Sequence, residues 1–592
     1  MKKLLLMVLL LPAVLLAQVK VEQPKAKHPT AFAIVTDSET YRNAKSAIEA
    51  YRDAVEADGL SAYIVYANWT KPDEVRAELG KLYKNKTPLE GAVFVGDIPV
   101  ALVRNAQHMT TAFKMNEKAF TIQESSVPSD RFYDDLNLQF EYLQQDSIEP
   151  SHHYYKLLEN SPQRLNPSFY SARIKYPEDK GGNKYEEIAK YLNKVVALKK
   201  EQKSNYLDRF VSFTGSGYNS ECLVAWLDEE KALRESFPNA WTNSESAKFL
   251  NYRMADYMKY NLFDELQRSD VDVFMFHEHG LPTQQLISNS KTGSSFDEQY
   301  ESIRTSLYAS ARRAIDRGQY TLDSIKTIYS KEYGFDPSFF DKLYDKDLLK
   351  ADSIKNADIY ISLPDLKDKK TNPRFVMFDA CYNGSFHLKD YIAGYYIFND
   401  GSTVVAQGNT RNVLQDRWTI ELIGILSHGA RVGQYNRLVA SLEGHLIGDP
   451  TLRFATKEKE SLAQDLVLKA GQPSAWEKYL KSNDPVAVRY LAENDKEKNF
   501  ASRFAQIFKT SPYNIVRMEA LKVLSNYGGT YFSEAVALAV KDSYELIARL
   551  GATYSGRIGD ESLLKNMTET YIANKERARV DYNLGNAFVL FP

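Results

Sequence analysis

The chain has 592 residues, 44% hydrophobic and 26% charged, with 75 basic and 77 acidic side chains for a net charge of −2. A composition this rich in apolar residues excludes a disordered polyelectrolyte. The near-zero balance gives no electrostatic footprint for nucleic acid, so no nucleic-acid partner is expected. At roughly 150 residues per domain the length predicts about four domain-sized units.

Lys2 and Lys3 precede an apolar run from Leu4 to Leu16 that closes at Ala17-Gln18. This is the layout of a secretory signal peptide, so residues 1–18 are expected to direct export to the periplasm, the cell surface or the medium. The run is short for a transmembrane helix, which needs about 20 residues. An uncleaved anchor is the competing reading; after cleavage no membrane span is expected. Only two cysteines occur, Cys222 and Cys381. Either they form one disulfide or one is a reactive thiol, and the two readings exclude each other. Cys222 lies among apolar residues and reads as a buried, inert thiol.

Residues 19–30 are charged, contain two prolines and read as a linker. Strands are then expected at 31–35, 62–66 and 91–95, with helices at 41–56 and 71–83 between them. That alternation implies a parallel sheet with covered faces, here a first α/β subdomain over 31–180. A second α/β subdomain, 181–456, carries apolar strands at 271–276, 375–378 and 403–406. It is interrupted by a polar, helical insertion at about 290–370, of the kind that forms lids or substrate platforms. From 457 to 592 amphipathic helices take over. Val488-Arg489, Val516-Arg517, Ala548-Arg549 and Ala578-Arg579 recur at intervals near 30 residues, which suggests a helical repeat domain. Such arrays offer extended surfaces to protein partners, although a plain helical bundle would also fit.

The chemistry concentrates at two strand ends. Val271–Phe276 runs into His277-Glu278-His279-Gly280, and Phe375–Phe378 runs into Asp379-Ala380-Cys381, with Gly384 following. In parallel sheets functional groups gather beyond the carboxyl ends of strands. A cysteine nucleophile needs a base and an oxyanion pocket. His279 offers the base, and Gly280 lets a substrate approach the backbone. His277 and His279 also form an H-x-H pair that suits a metal, but no Asp-His completes it and the other histidines fall into no ligand spacing. His277 therefore reads as a structural or pocket-wall residue, and His387 as packing or surface.

An apolar strand–His–Gly followed by an apolar strand–Asp–Ala–Cys–x–x–Gly resembles the signature pair of caspase-like (clan CD) peptidases, and within them the gingipain family. Val95-Gly96-Asp97-Ile98-Pro99, Pro128–Leu136, Ala172-Arg173-Ile174 and Gly448-Asp449-Pro450-Thr451-Leu452 resemble further segments of that family, in the right order. The resemblance spans about 31–453. It implies a caspase/gingipain-like parallel-sheet core with a preceding α/β subdomain; the C-terminal repeats resemble the HEAT type. By position it makes Cys381 the nucleophile and His279 the acid–base partner. It makes the N–H groups of Gly280 and Cys381 the oxyanion donors and offers Glu278 as an orienting acid. The implied activity is that of an exported cysteine endopeptidase acting on protein or peptide substrates, with no cofactor required for the chemistry. The resemblance also implies calcium as a structural ion, with Asp130, Asp134 and Asp135 as hard-oxygen ligands; a solvated acidic loop is the competing reading. The 102-residue His–Cys interval is long for the family, the carboxylate that gingipains use to select their substrates cannot be assigned, and their C-terminal secretion domain is replaced by the helices. A catalytically inactive scaffold that binds partners through its helical repeats is the alternative.

Overall fold

The computed structural model describes residues 19–591, apart from 114, 218–222, 243–245, 290–294, 317–319, 415–419, 458–461, 482–483 and 574–576. The expected signal peptide and Cys222 lie outside the described residues.

Eleven strands build one sheet: β1 (Lys20–Glu22), β2 (Thr30–Asp37), β3 (Leu60–Ala67), β4 (Leu89–Val95), β5 (Tyr170–Ile174), β6 (Phe210–Thr214), β7 (Ala247–Asn251), β8 (Val273–His277), β9 (Phe375–Asp379), β10 (Val405–Asn409) and β11 (Gly444–Gly448). Their spatial order is β1-β3-β2-β4-β5-β11-β10-β9-β8-β6-β7. All neighbours are parallel except β1 on β3 and β10 on β11. The apolar runs seen in the sequence are the interior strands, buried on both faces beneath helices, which is why they are continuously hydrophobic instead of alternating. Helix Ser38–Ala57 starts where Asp37 ends β2, because the Asp37 carboxylate accepts the Thr40 N–H at 2.8 Å.

Two expectations change in the structure. Residues 19–30 are not only a linker, since Lys20–Glu22 pair with Ile64–Tyr66 and extend the sheet edge. The α/β units placed at 31–180 and 181–456 share a single sheet, because β11 lies between β5 of the first half and β10 of the second. The reversal at β10–β11 sets the two halves running in opposite directions. The carboxyl ends of β6, β8 and β9 therefore meet at one edge, away from the strand ends of the first half.

Two smaller sheets flank this one. Val100–Arg104, Val127–Pro128, Phe140–Gln145 and His152–Leu157 form one. His279–Leu281, Gln284–Leu286 and Tyr360–Ser362 form the other. The insertion is helical as expected, with helices Phe296–Asp316, Leu322–Tyr333 and Lys346–Asn356 closing over a small core of Tyr308, Ile325, Phe340 and Leu343.

The C-terminal region is helical throughout. Helices Pro485–Asn494, Asn514–Tyr527, Glu545–Ile558 and Ala578–Phe588 pack in succession as one row, and the helices between them lie on its other side. Each recurring Arg falls within this row. Arg489 reaches Glu519 of the next helix at 2.6 Å, whereas Arg549 pairs with Glu545 of its own helix. No helix among the described residues is long and apolar enough to cross a membrane.

Candidate active site

The site forms where β6, β8 and β9 end. Register pairs Thr214 with His277 and His277 with Asp379. His279 and Cys381 each stand two residues beyond the paired His277 and Asp379, on adjacent strands. The chain after His277 turns into the hairpin His279–Leu281/Gln284–Leu286. The chain after Asp379 passes through Ala380 and Cys381 to Tyr382, which takes a left-handed conformation at φ 60. That turn lets the Tyr382 N–H bond the Arg411 carbonyl at 3.1 Å and lets Gly384 bond the Asn409 carbonyl at 3.0 Å.

Two contacts lock the hairpin to the cysteine loop. The Asn383 amide donates to the carbonyls of Leu281 at 2.7 Å and Gln284 at 3.1 Å. Gly280 packs directly on the backbone of Cys381, since a methyl group there would lie 2.3 Å from the Cys381 carbonyl oxygen. Only glycine permits that approach.

Cys381 is half-buried. Val413 meets its sulfur with both backbone groups: the N–H donates to the sulfur at 3.2 Å, and the carbonyl accepts from the thiol at 3.6 Å. His279 reaches solvent, and partial burial of its ring holds its pKa below the ordinary histidine value. Gly217 borders the ring, because a methyl group on that glycine would lie 3.0 Å from Nε2.

Glu278 sits differently from the orienting role expected for it. Its carboxylate turns inward to accept the Gln285 amide at 2.6 Å, and burial pushes its pKa up to about 8. The carboxylates that the structure places on an imidazole belong instead to His277. Nδ1 of that ring lies 3.0 Å from Asp379 Oδ2, and Nε2 lies 2.6 Å from Glu229 Oε1. Burial alone would lower the His277 pKa, but the two carboxylates outweigh it and raise the value to about 10. Sequence reasoning missed Glu229, which lies mid-helix with no motif around it. Both His277 nitrogens are taken up by these contacts, which removes the H-x-H metal reading.

Asp130, Asp134 and Asp135 are at most 1% exposed, so they do not form a solvated loop. Asp130 accepts two N–H groups of Arg173 at 2.8 to 3.0 Å. Asp134 accepts the Ser171 hydroxyl at 2.6 Å and pairs with Arg131 at 2.8 Å, while burial raises its pKa to about 7. Asp135 accepts backbone N–H groups of Asn166 at 2.7 Å and Asn137 at 3.3 Å. Calcium would have to displace a buried guanidinium here, so these residues do not fit a calcium site. Among the described residues no group of three His, Cys, Asp or Glu side chains could hold a metal. His387 is buried, as packing requires.

A groove of about 800 Å³ opens beside the hairpin. Leu286, Ser288 and Tyr360 line its near side, and Thr305 and Arg313 of the insertion line its far side. Leu286 pairs with both His279 and Tyr360, so one small sheet joins the histidine to the groove.

No protein-family model, no curated protein and no solved structure matches this chain.

Proposed function

We propose that the chain is a cysteine endopeptidase of the gingipain-like type, with Cys381 and His279 as its dyad. The observation that carries this reading is the equivalent placement of the two residues on adjacent parallel strand ends, with Gly280 pressed against the Cys381 backbone. His279 takes the thiol proton, and the thiolate forms a bond to the scissile carbonyl carbon. The N–H groups of Gly280 and Cys381 stabilise the oxyanion. His279 then returns the proton to the departing amine as the C–N bond breaks, which leaves a thioester. Water, losing a proton to His279, displaces the thiolate and yields the carboxylic acid. The groove bordered by the insertion supports a polypeptide substrate, since it extends binding well beyond the reacting bond. Export is part of the same proposal.

A peptidyl acyloxymethyl ketone tests the reading, because a nucleophilic sulfur displaces its carboxylate and keeps the peptidyl group. Mass spectrometry of the labelled protein is expected to find near-stoichiometric modification at Cys381 at neutral pH. Labelling at Cys222 alone, or none, would sink the assignment and favour an inactive scaffold.

A further inference from the structure

His277 has no part in the steps above, yet it is buried near the dyad between two carboxylates. It is 8% exposed, and its carboxylate partners Glu229 and Asp379 are 5% and 6% exposed. Nδ1 donates to Asp379, and Nε2 lies at ion-pair distance from Glu229 without the alignment of a hydrogen bond. Each partner comes from a different element. Asp379 ends the strand that leads to Cys381, and His277 ends the strand that leads to His279. Glu229 belongs to helix Leu223–Ser236.

That helix has a second set of contacts. Asp228 accepts the Glu545 N–H at 2.6 Å, at the first turn of helix Glu545–Ile558. Glu235 accepts the N–H groups of Asn514 and Ile515 at 3.0 Å each, at the first turn of helix Asn514–Tyr527. Carboxylates in these positions satisfy orphan donors and oppose the positive helix ends. One helix therefore holds two C-terminal helices by their N-termini and holds His277 by its ring.

We infer that His277 is a positioning residue for the proposed dyad: clasped between Glu229 and Asp379, it fixes the His279 strand end against the Cys381 strand end, and Glu229 makes the C-terminal helices part of that clamp. The inference rests on the peptidase reading for its purpose, though not for its geometry. A misplacement of the strand ends costs reaction rate more than substrate binding, because the bond-forming step depends on the relative placement of His279 and Cys381, whereas most of the groove is lined by residues away from both strand ends.

Glu229→Ala and Glu229→Gln test it, with two readouts. For peptide cleavage, Glu229→Ala is expected to lower kcat about 10- to 100-fold, as losses of supporting carboxylates do, with KM within about twofold. Glu229→Gln keeps an acceptor for His277 and is expected to recover most of that loss. The second readout is alkylation of Cys381 by iodoacetamide at pH 7, located by mass spectrometry, where an imidazole within reach raises the thiolate fraction. Its rate is expected to fall in Glu229→Ala toward that of His279→Ala and to recover in Glu229→Gln. Unchanged kcat and alkylation in folded Glu229→Ala would overturn the inference, as would a loss confined to KM. If Glu229→Ala does not fold, Glu229→Gln decides alone: a two- to tenfold loss in both readouts supports the clamp, and wild-type values overturn it. Fast alkylation of wild type without peptide cleavage removes the peptidase reading and leaves the clamp to the alkylation data. Wild-type alkylation no faster than that of an ordinary thiol overturns both.

Discussion

His279→Ala is expected to lower kcat/KM for peptide cleavage by about 10³- to 10⁴-fold, the combined cost of losing general base and general acid in one residue. Without the imidazole only a few per cent of a typical thiol is ionised at neutral pH, and the leaving amine has no proton donor. Among the described residues no neighbouring side chain can substitute. His277 is closest in sequence, but both of its nitrogens face Glu229 and Asp379. The Glu278 carboxylate is held in the interior by Gln285. His387 is buried, and burial among Arg411, His152 and Lys175 drives its pKa far below the histidine range. Steady-state kinetics normalised to titratable Cys381 measure the effect. Activity within tenfold of wild type would take the acid–base role away from His279.

Arg431→Met is expected to destabilise the fold by about 3–5 kcal/mol, the cost of stripping the partner from buried charges. Arg431 is 5% exposed and stands where the two halves of the sheet are braced together. Its Nε lies 3.2 Å from Glu90 in β4, and its other nitrogens bond the Asp58 carboxylate, the Asp58 carbonyl and the Thr451 carbonyl. Asp58 keeps Arg453 at 2.6 Å after the substitution, but Glu90 keeps only the Tyr170 hydroxyl at 2.9 Å. The denaturation midpoint should fall, and Glu90→Gln in the same background should restore part of the loss by removing the stranded charge. A midpoint unchanged from wild type would mean that the halves do not depend on this cluster.

What the sequence disclosed follows from what each element buries. β8 and β9 are buried on both faces, so they read as apolar runs, and the residues at their ends were found with them. β6 and β11 were missed because Ser212 and His445 interrupt short stretches that have no helical or alternating period. The placement of β11 beside β5 joins segments far apart in the chain, and local pattern holds no trace of such a pairing. The helical repeat was visible because its Arg residues recur in successive helices of one row, although their partners differ, Glu519 for Arg489, Asp542 for Arg517 and Glu545 of its own helix for Arg549. The acidic segment at 130–135 was misread because several of its partners, Arg173, Ser171 and Asn166, lie elsewhere in sequence. The signal that could have corrected it is Arg173, a guanidinium inside a buried strand, which requires a carboxylate nearby. The clamp on His277 left even less sign, since Glu229 looks like any other charged residue on its helix.

The most direct measurement is digestion of a mixed peptide library by the protein beside its Cys381→Ala form, with the products sequenced by mass spectrometry. The account predicts cleavage by the wild type at sites that share a residue preference, and an intact library with the variant. Equal cleavage by both forms, or none by either, would contradict it.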